Sequence, residues 1–555
     1  MTDRLRIALA QLNPIMGDMA GNLAKARAAR AEAAKAKADI ILFSELFICG
    51  YPPEDLVLKP AFQAAARAHI EDFARDTADG GPAVLIGAPW VEENKLYNAC
   101  VLLDAGRIAG RALKYDLPNY GVFDEKRVFK AGPLAGPLDI RGVKIGVPIC
   151  EDIWTPVPAG HLAKNGAEIL LVPNGSPYDA TKEEVRSELI AARVRETGLP
   201  LAYLNQVGGQ DEIVFDGASE VVNAGGKRAL ALPAWEEKIV MTDWTRSPGG
   251  WVCAAGEIEK EEERTQSIYH AMMLGLKDYV NKNRFPGVVL GLSGGIDSAL
   301  TAAVAADALG PGRVRCVMMP SRYTSQESLD DAAECAKLLG VHYDIVPIEA
   351  PVKAFGETLD AIFAGTAPGT TEENIQSRIR GLILMAISNK FGPMVLATGN
   401  KSEMSVGYAT LYGDMCGGYN VLKDVYKLDV FRLARWRNQV HPKHALGPKG
   451  RVMPENILVR PPTAELRANQ KDEDSLPPYA ILDPILECLV EKEMSFEEIV
   501  GLGFDPAVVK RVENMLYIAE YKRRQAPPGV KISPRNFGRD RRYPITNKFR
   551  NARDA

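Results

Sequence analysis

One stretch limits the folds open to this 555-residue chain more than any other: Val288-Val289-Leu290-Gly291-Leu292-Ser293-Gly294-Gly295-Ile296-Asp297-Ser298. An apolar run leads into a Ser-Gly-Gly turn, and Asp297-Ser298 opens an Ala-rich run to Leu309. That order predicts a strand, a tight loop and a helix. Adjacent glycines let the backbone turn sharply and let anionic oxygens approach the amides. The helix start adds unpaired N–H groups and the positive end of the helix dipole. The stretch therefore predicts an anion cradle suited to phosphate.

No Gly-Lys-Ser/Thr follows the glycines, so this is not a Walker loop. Gly291 to Gly295 does satisfy Gly-x-Ser-x-Gly, the nucleophile elbow of serine hydrolases. A plain glycine turn in an α/β sheet is a third reading. The longer string Ser293 to Ser298 resembles the Ser-Gly-Gly-x-Asp-Ser loop of the ATP pyrophosphatases. Members of that class adenylate a substrate and release diphosphate. The resemblance implies that Gly291, Leu292, Ser293, Gly294, Gly295, Ile296, Asp297 and Ser298 bind ATP. Asp297 would hold Mg²⁺ against the phosphates.

A chain of 555 residues exceeds one hydrophobic core, so two large domains or three are expected. The formal net charge of −4 gives no general attraction to nucleic acid or to an anionic membrane. No apolar run approaches the ~20 residues that span a bilayer. Eight cysteines are scattered without a Cys-x-x-Cys pair, which argues against a zinc site and a disulfide framework. These features predict a cytoplasmic enzyme with reduced thiols.

The first half alternates strand and helix patterns, which argues for a layered α/β domain. Strands are expected at 5–11, 39–45, 84–89, 143–150 and 169–173, with helices at 21–38, 60–76 and 182–197. A hairpin is expected across Ala105-Gly106. Glu45, Lys114 and Cys150 each stand at the end of an apolar strand pattern. Singly, a helix-start acid, a solvated lysine and an inert buried thiol explain them. Together they form a nucleophile set: a thiol, an acid that can take its proton, and a cation that stabilises negative charge. Histidine is scarce here, with only His69 and His161 in this half.

Phe43-Ser44-Glu45-Leu46, Lys114-Tyr115-Asp116-Leu117-Pro118 and Ile149-Cys150-Glu151-Asp152-Ile153-Trp154 resemble the Glu, Lys and Cys blocks of the nitrilase (carbon–nitrogen hydrolase) superfamily. The resemblance covers about 5–240. It implies an α-β-β-α sandwich that hydrolyses an amide through a thioester. In that reading Cys150 is the nucleophile, Glu45 the general base and Lys114 the stabiliser of the tetrahedral intermediate. Tyr120, Ser176 and Lys182 fall where glutaminase members bind glutamine, and Glu125 is a further candidate there.

Past a charge run at 257–264, β–α units recur, arguing for a doubly wound parallel sheet with ligands at the strand C-terminal ends. We place the domain division at 255/256, giving domains 1–255 and 256–555. The segments Asn374 to Arg380, Thr398-Gly399-Asn400-Lys401-Ser402-Glu403, Tyr412-Gly413-Asp414, Lys423 to Lys427 and Arg460-Pro461-Pro462-Thr463 resemble NAD synthetases over 268–545. With the nitrilase-like half in front, the whole chain resembles the glutamine-dependent NAD synthetase family. The resemblance implies that Arg322 and Thr398 contact ATP. It places Asn374, Arg378, Asp414 and Lys427 around deamido-NAD, with Thr463 near the phosphates. Glu403 becomes a second Mg²⁺ or substrate-site acid.

Residues 522–553 carry eleven Lys/Arg and one acid, Asp540. A solvated basic tail is one expectation. The family resemblance favours a strap over the dinucleotide site, with Lys531 as the contact.

The expected activity is glutamine hydrolysis in the first domain and amidation of an adenylated deamido-NAD in the second. Mg²⁺ is the expected cofactor and ATP the co-substrate. Partners are small molecules, with neither nucleic acid nor membrane, and a homo-oligomer is expected. A glutamine- or ammonia-using adenylating amidoligase for another carboxylate remains open, as does a silent nucleotide-binding sensor.

Overall fold

The computed structural model describes residues 3–550, and it divides into two compact units between Glu261 and Glu262. The division lies slightly beyond 255/256, because residues 256–261 stay with the first unit. Ile258 bridges to Ala231, and Glu261 pairs with Arg228.

The first unit is built on two sheets. One has seven strands in the order Gly250–Cys253, Lys238–Ser247, Arg4–Gln11, Ile40–Leu42, Ala83–Glu92, Lys95–Asp104, Arg107–Leu113. The other has six, in the order Arg228–Ala231, Glu220–Val222, Leu201–Asn205, Ile169–Asn174, Val143–Gly146, Leu138–Ile140. Alternate side chains of a strand face opposite sides of its sheet, and both faces here are apolar. Ile7, Leu9, Ile40 and Leu42 join Ile145, Ile169, Leu171 and Leu204 in the core between the sheets. Ala8, Ala10, Ile41, Val84 and Ile86 face the other way, against helices Met19–Lys35 and Pro60–Asp76. Helices Pro156–Lys164 and Lys182–Thr197 cover the outer face of the six-stranded sheet. The α-β-β-α order expected from the sequence is the one observed.

The second unit holds a five-stranded sheet whose pairings are all parallel: His342–Ile345, Val314–Met318, Val288–Gly291, Met394–Ala397, Tyr419–Asn420. The chain lays its first three strands outward in one direction, then returns to the far side of Val288–Gly291. That reversal opens a crevice at the C-terminal end of the central strand. Helix Ile296–Leu309 leaves from this point. A separate helical cluster follows, with Leu482, Ile485, Leu486, Ile499, Val509, Val512 and Leu516 at its centre. No helix among the described residues is long and apolar enough to cross a membrane.

Candidate active sites

In the first unit, Glu45, Lys114 and Cys150 arrive from distant parts of the chain. Each is almost wholly buried, at 0%, 0% and 4% exposure. Strand Ile40–Leu42 stops before Glu45, which stands in the turn that follows. Gly87 lets the neighbouring strand pass close to that turn. A Cβ at Gly87 would lie 2.1 Å from the Leu46 amide nitrogen and 2.5 Å from the Ser44 carbonyl oxygen.

The strand expected at 143–150 ends sooner, which corrects the placement of the thiol. Pairing stops at Gly146, and Cys150 opens the short turn Cys150–Ile153 with φ of +46°. Pro148 has no N–H to give a ladder. The Asp152 carboxylate bends the chain by accepting the N–H of Ile149 at 2.9 Å, Tyr115 at 3.0 Å and Asp116 at 2.7 Å. The bonds from Tyr115 and Asp116 tie the Cys150 turn to the residues after Lys114. A left-handed backbone costs a non-glycine residue about 1–2 kcal/mol, and these bonds help hold it.

The charges of this site are tightly matched. Lys114 Nζ donates to Glu45 Oε1 at 2.6 Å and to Glu125 Oε1 at 2.8 Å. Asn98 Nδ2 donates to Glu45 Oε1 at 2.7 Å, the Gly175 amide to Glu45 Oε2 at 2.9 Å, and the Tyr51 hydroxyl to Glu125 Oε1 at 2.8 Å. Burial pulls the Lys114 ammonium down, but Glu125 and Glu45 outweigh it and hold it charged. Burial pushes the Cys150 thiol well up; Glu45 adds to the rise and Lys114 opposes it. Cys150 therefore rests as a thiol, and to act as a nucleophile it must give up its proton. Burial also pushes Glu125 up to about 7, against the pull of Lys114.

The other residues expected to bind glutamine are spread around this centre. Tyr120 is 54% exposed, and its hydroxyl donates to Glu151 Oε1 at 3.0 Å. The charge of Lys182 acts on the same Glu151 carboxylate, and its ammonium lies over the Phe123 and Trp154 rings at 5.6 and 5.9 Å. Ser176 is buried, its amide bonded to Asn205 Oδ1 at 2.9 Å. Sequence reasoning passed over Tyr51, Asn98, Glu151 and Asp152. Glu151 and Asp152 adjoin Cys150 and were open to notice; Tyr51 and Asn98 carry no local signal.

In the second unit, a cavity of about 280 Å³ opens at the C-terminal end of the central strand. All eight residues from Gly291 to Ser298 line it. The loop is bonded to itself: the Ser293 and Ser298 hydroxyls are 3.1 Å apart, the Ser293 amide donates to Ser298 Oγ at 3.2 Å, and Ser298 Oγ donates to the Gly295 carbonyl at 3.0 Å. Gly294 takes φ of +81°, and a Cβ there would lie 2.4 Å from the Ser328 carbonyl oxygen.

Asp297 faces the cavity from the first turn of its helix, next to Glu403 and Lys427. Lys427 Nζ bonds Asp297 Oδ2 and, at 3.2 Å, Glu403 Oε1; Asn400 Nδ2 donates to Asp297 Oδ1 at 2.9 Å. Burial pushes Glu403 up to about 8, with Lys427 opposing and Asp297 and Asp472 adding. Burial also raises Asp472, which accepts from the Tyr479 hydroxyl at 2.9 Å. Neither Asp472 nor Tyr479 was expected from the sequence.

Thr398, Asp414 and Thr463 also line the cavity, and so does Arg460, whose guanidinium holds Ser325, Ser328 and Glu465. Four expected residues do not line it. Arg322 is exposed, over the Tyr323 ring. Asn374 Oδ1 accepts from the Thr410 hydroxyl at 2.9 Å, and Arg378 Nε donates to the Leu411 carbonyl at 3.2 Å. These two brace the turn that bears Asp414. Lys531 is buried and committed to Ser533 O, Pro534 O and Asp540 Oδ2, at 2.8, 2.8 and 2.6 Å. The residues of the basic tail from 551 onward lie outside the described residues.

Residues 6–248 match the carbon-nitrogen hydrolase family and residues 268–526 the NAD synthase family. The chain is 55% identical to a glutamine-dependent NAD(+) synthetase of Rhodobacter capsulatus, over 99% of this chain and 100% of that one. It is 45% identical to a glutamine-dependent NAD(+) synthetase of Thermotoga maritima, over 99% of each. Among solved structures it resembles the glutamine-dependent NAD+ synthetase of Acinetobacter baumannii in complex with ADP, with TM-score 0.78, 41% identity and 98% of each chain covered. A hydrolase unit and a synthase unit in one chain define a ligase that draws its nitrogen from glutamine. The chain belongs to the glutamine-dependent NAD(+) synthetase family.

Proposed function

We propose that the first unit releases ammonia from glutamine and that the second spends ATP to join it to deamido-NAD. The observation that carries this reading is the pairing, in one chain, of a buried Glu45–Lys114–Cys150 site with a phosphate loop whose Asp297 faces an open cavity. Cys150 Sγ attacks the side-chain carbonyl carbon of glutamine while Glu45 takes the thiol proton. Lys114 stabilises the oxyanion. Collapse releases ammonia and leaves a thioester, which water cleaves to glutamate and free thiol. Tyr120, Lys182 and Ser176 are the candidates for holding the amino acid, with Glu125 oriented by Lys114 and Tyr51.

In the second unit the loop 291–298 cradles the ATP phosphates with its amides and the helix start. The nicotinate carboxylate of deamido-NAD attacks the α-phosphorus, and diphosphate leaves. Ammonia then displaces AMP to give NAD. Asn374, Arg378, Asp414 and Lys427 surround the dinucleotide in this reading, the first two through the turn they brace, with Thr463 near the phosphates. Asp297 and Glu403 suit Mg²⁺: two carboxylates converge where Lys427 already supplies one cation, and Mg²⁺ is commonly held by one or two carboxylates plus substrate phosphates. Bound there, Mg²⁺ would neutralise phosphate charge. The eight unpaired thiols support a cytoplasmic setting.

The test is AMP release measured against a panel of carboxylate acceptors, with glutamine or ammonium salt as donor. Release that requires deamido-NAD supports the assignment. Equal release with another carboxylate, or none with any, defeats it.

A further inference from the structure

The basic segment near the C-terminus turns inward. Its cations and backbone grip both ends of one short helix, Lys401–Val406, which carries Glu403. At the N-terminal end the grip runs through Lys401, whose side chain is 0% exposed. Its Nζ bonds Glu491, the Ser533 hydroxyl at 2.6 Å, the Arg535 carbonyl at 2.8 Å and Asp424 Oδ1 at 2.7 Å. Asp424 Oδ2 in turn accepts the amides of Ile532 and Ser533, both at 2.7 Å, and Glu491 Oε2 accepts the Arg535 amide at 2.9 Å. Lys401, Asp424 and Glu491 thus all bind residues 532–535 and converge at the root of the helix.

At the C-terminal end the cations are Lys522 and Arg523. Lys522 Nζ donates to the carbonyls of Gly407 and Ala409, at 2.8 and 2.7 Å. Arg523 Nη1 donates to those of Met404 and Ser405, at 3.2 and 2.6 Å. The last carbonyls of a helix lack internal partners and carry its negative dipole end, where cations are favoured.

The helix is too short to fix its own position. A helix of six residues has fewer than two turns, and isolated helices of that length are unstable in water. Yet its N-cap, Asn400, joins two functional acids: Asn400 Oδ1 accepts the Glu403 amide at 3.0 Å, and Asn400 Nδ2 donates to Asp297 Oδ1 at 2.9 Å.

We infer that Lys401, with Asp424 and residues 532–535, is a positioning clamp that sets Glu403 and Asn400 against Asp297. The inference rests on the proposed role of Asp297 and Glu403 in ATP activation. In it the segment 531–535 acts on the site through the helix and touches no substrate.

The test uses the full chain with Lys401→Met, Asp424→Asn and Ser533→Ala, beside Glu403→Gln. Three measurements are made: ammonia-dependent NAD formation with its Mg²⁺ half-saturation, amide exchange over 401–409, and basal glutamine hydrolysis as the folding control. Small misplacements of a catalytic group cost about 10²-fold in rate. Lys401→Met should lose about that much and Ser533→Ala several-fold. Both should need more Mg²⁺ and exchange faster over 401–409, with glutamine hydrolysis at the parent rate. Ser533→Ala removes one hydroxyl, so it reports even if Lys401→Met fails to fold. Parental synthesis in both Lys401→Met and Asp424→Asn overturns the clamp. So does slowed synthesis with parental exchange and parental Mg²⁺ half-saturation. If Glu403→Gln itself keeps full synthesis, the underlying site assignment has failed instead.

Discussion

Lys114 and Glu45 meet at 2.6 Å with neither side chain exposed to solvent, so the expected base and the expected cation form a closed ion pair. Such a pair is held by mutual need, because each charge left alone in the interior is costly. Lys114→Met should destabilise the first unit by about 3–5 kcal/mol, and adding Glu45→Gln should recover part of that loss. Denaturant midpoints across this double-mutant cycle decide it. Five of the six tryptophans lie in the first unit, so fluorescence chiefly follows that unit. Additive losses would show that the pair is not coupled.

Cys150→Ser keeps the size of the nucleophile but removes the thiol. Glutamine hydrolysis and glutamine-dependent NAD formation should fall on the order of 10³-fold or more. Synthesis from ammonium salt at alkaline pH, where free NH₃ is present, should persist. Parallel assays with each donor check this. Parental use of glutamine by the variant would refute the nucleophile assignment.

Asp297→Ala should abolish synthesis with either donor, because both routes pass through the adenylate. The loss should be at least about 10²-fold, the scale of removing one electrostatic stabiliser from a reacting centre. Near-parental ammonia-dependent synthesis would remove Asp297 from the phosphate site.

Chelation of divalent cations should stop AMP release and leave basal glutamine hydrolysis intact. In the proposed site Asp297 and Glu403 offer two carboxylates, and Mg²⁺ is commonly held by one or two carboxylates plus substrate phosphates. Elemental analysis should show no stoichiometric zinc. Zinc lost together with activity would contradict the assignment of Mg²⁺.

Glu125 gives a pH signature. Burial raises its folded pKa from 4.5 to about 7. Between those values the folded state holds the proton more tightly than the unfolded state, so stability falls as pH rises through the interval. Glu125→Gln should remove that fall, flattening the stability of the first unit between pH 5 and 8 by on the order of 2 kcal/mol. Urea midpoints at the two pH values measure it. An unchanged slope would mean that Glu125 is ionised throughout.

The parts of this molecule that declare themselves locally were legible in the sequence. The loop 291–298 carries its own glycines, cap and helix, and the structure begins the helix at Ile296. Helices Pro60–Asp76 and Lys182–Thr197 match their expected spans, since apolar spacing and an initial proline or final glycine mark them. What stayed hidden depends on partners far away in the chain. Cys150 was expected at a strand end, but the bend that presents it is made by Asp152 reaching the amides of Tyr115 and Asp116. The basic tail read as a strap over substrate or as a solvated run. Lys531 instead pairs with Asp540, and Arg541 with Glu520, pairings that a charge count cannot reveal. Arg322, Asn374 and Arg378 sit beside cavity-lining segments in sequence, yet none of the three lines the cavity.

The Ser293–Ser298 hydroxyl contact and the left-handed Gly294 have one more consequence. With its hydroxyls tied to one another and no room for a side chain at Gly294, the loop has few other shapes to adopt. The loop's own bonds orient its amides. The ordering cost falls on folding, and in the proposed function capture of a triphosphate begins from a preorganised receptor.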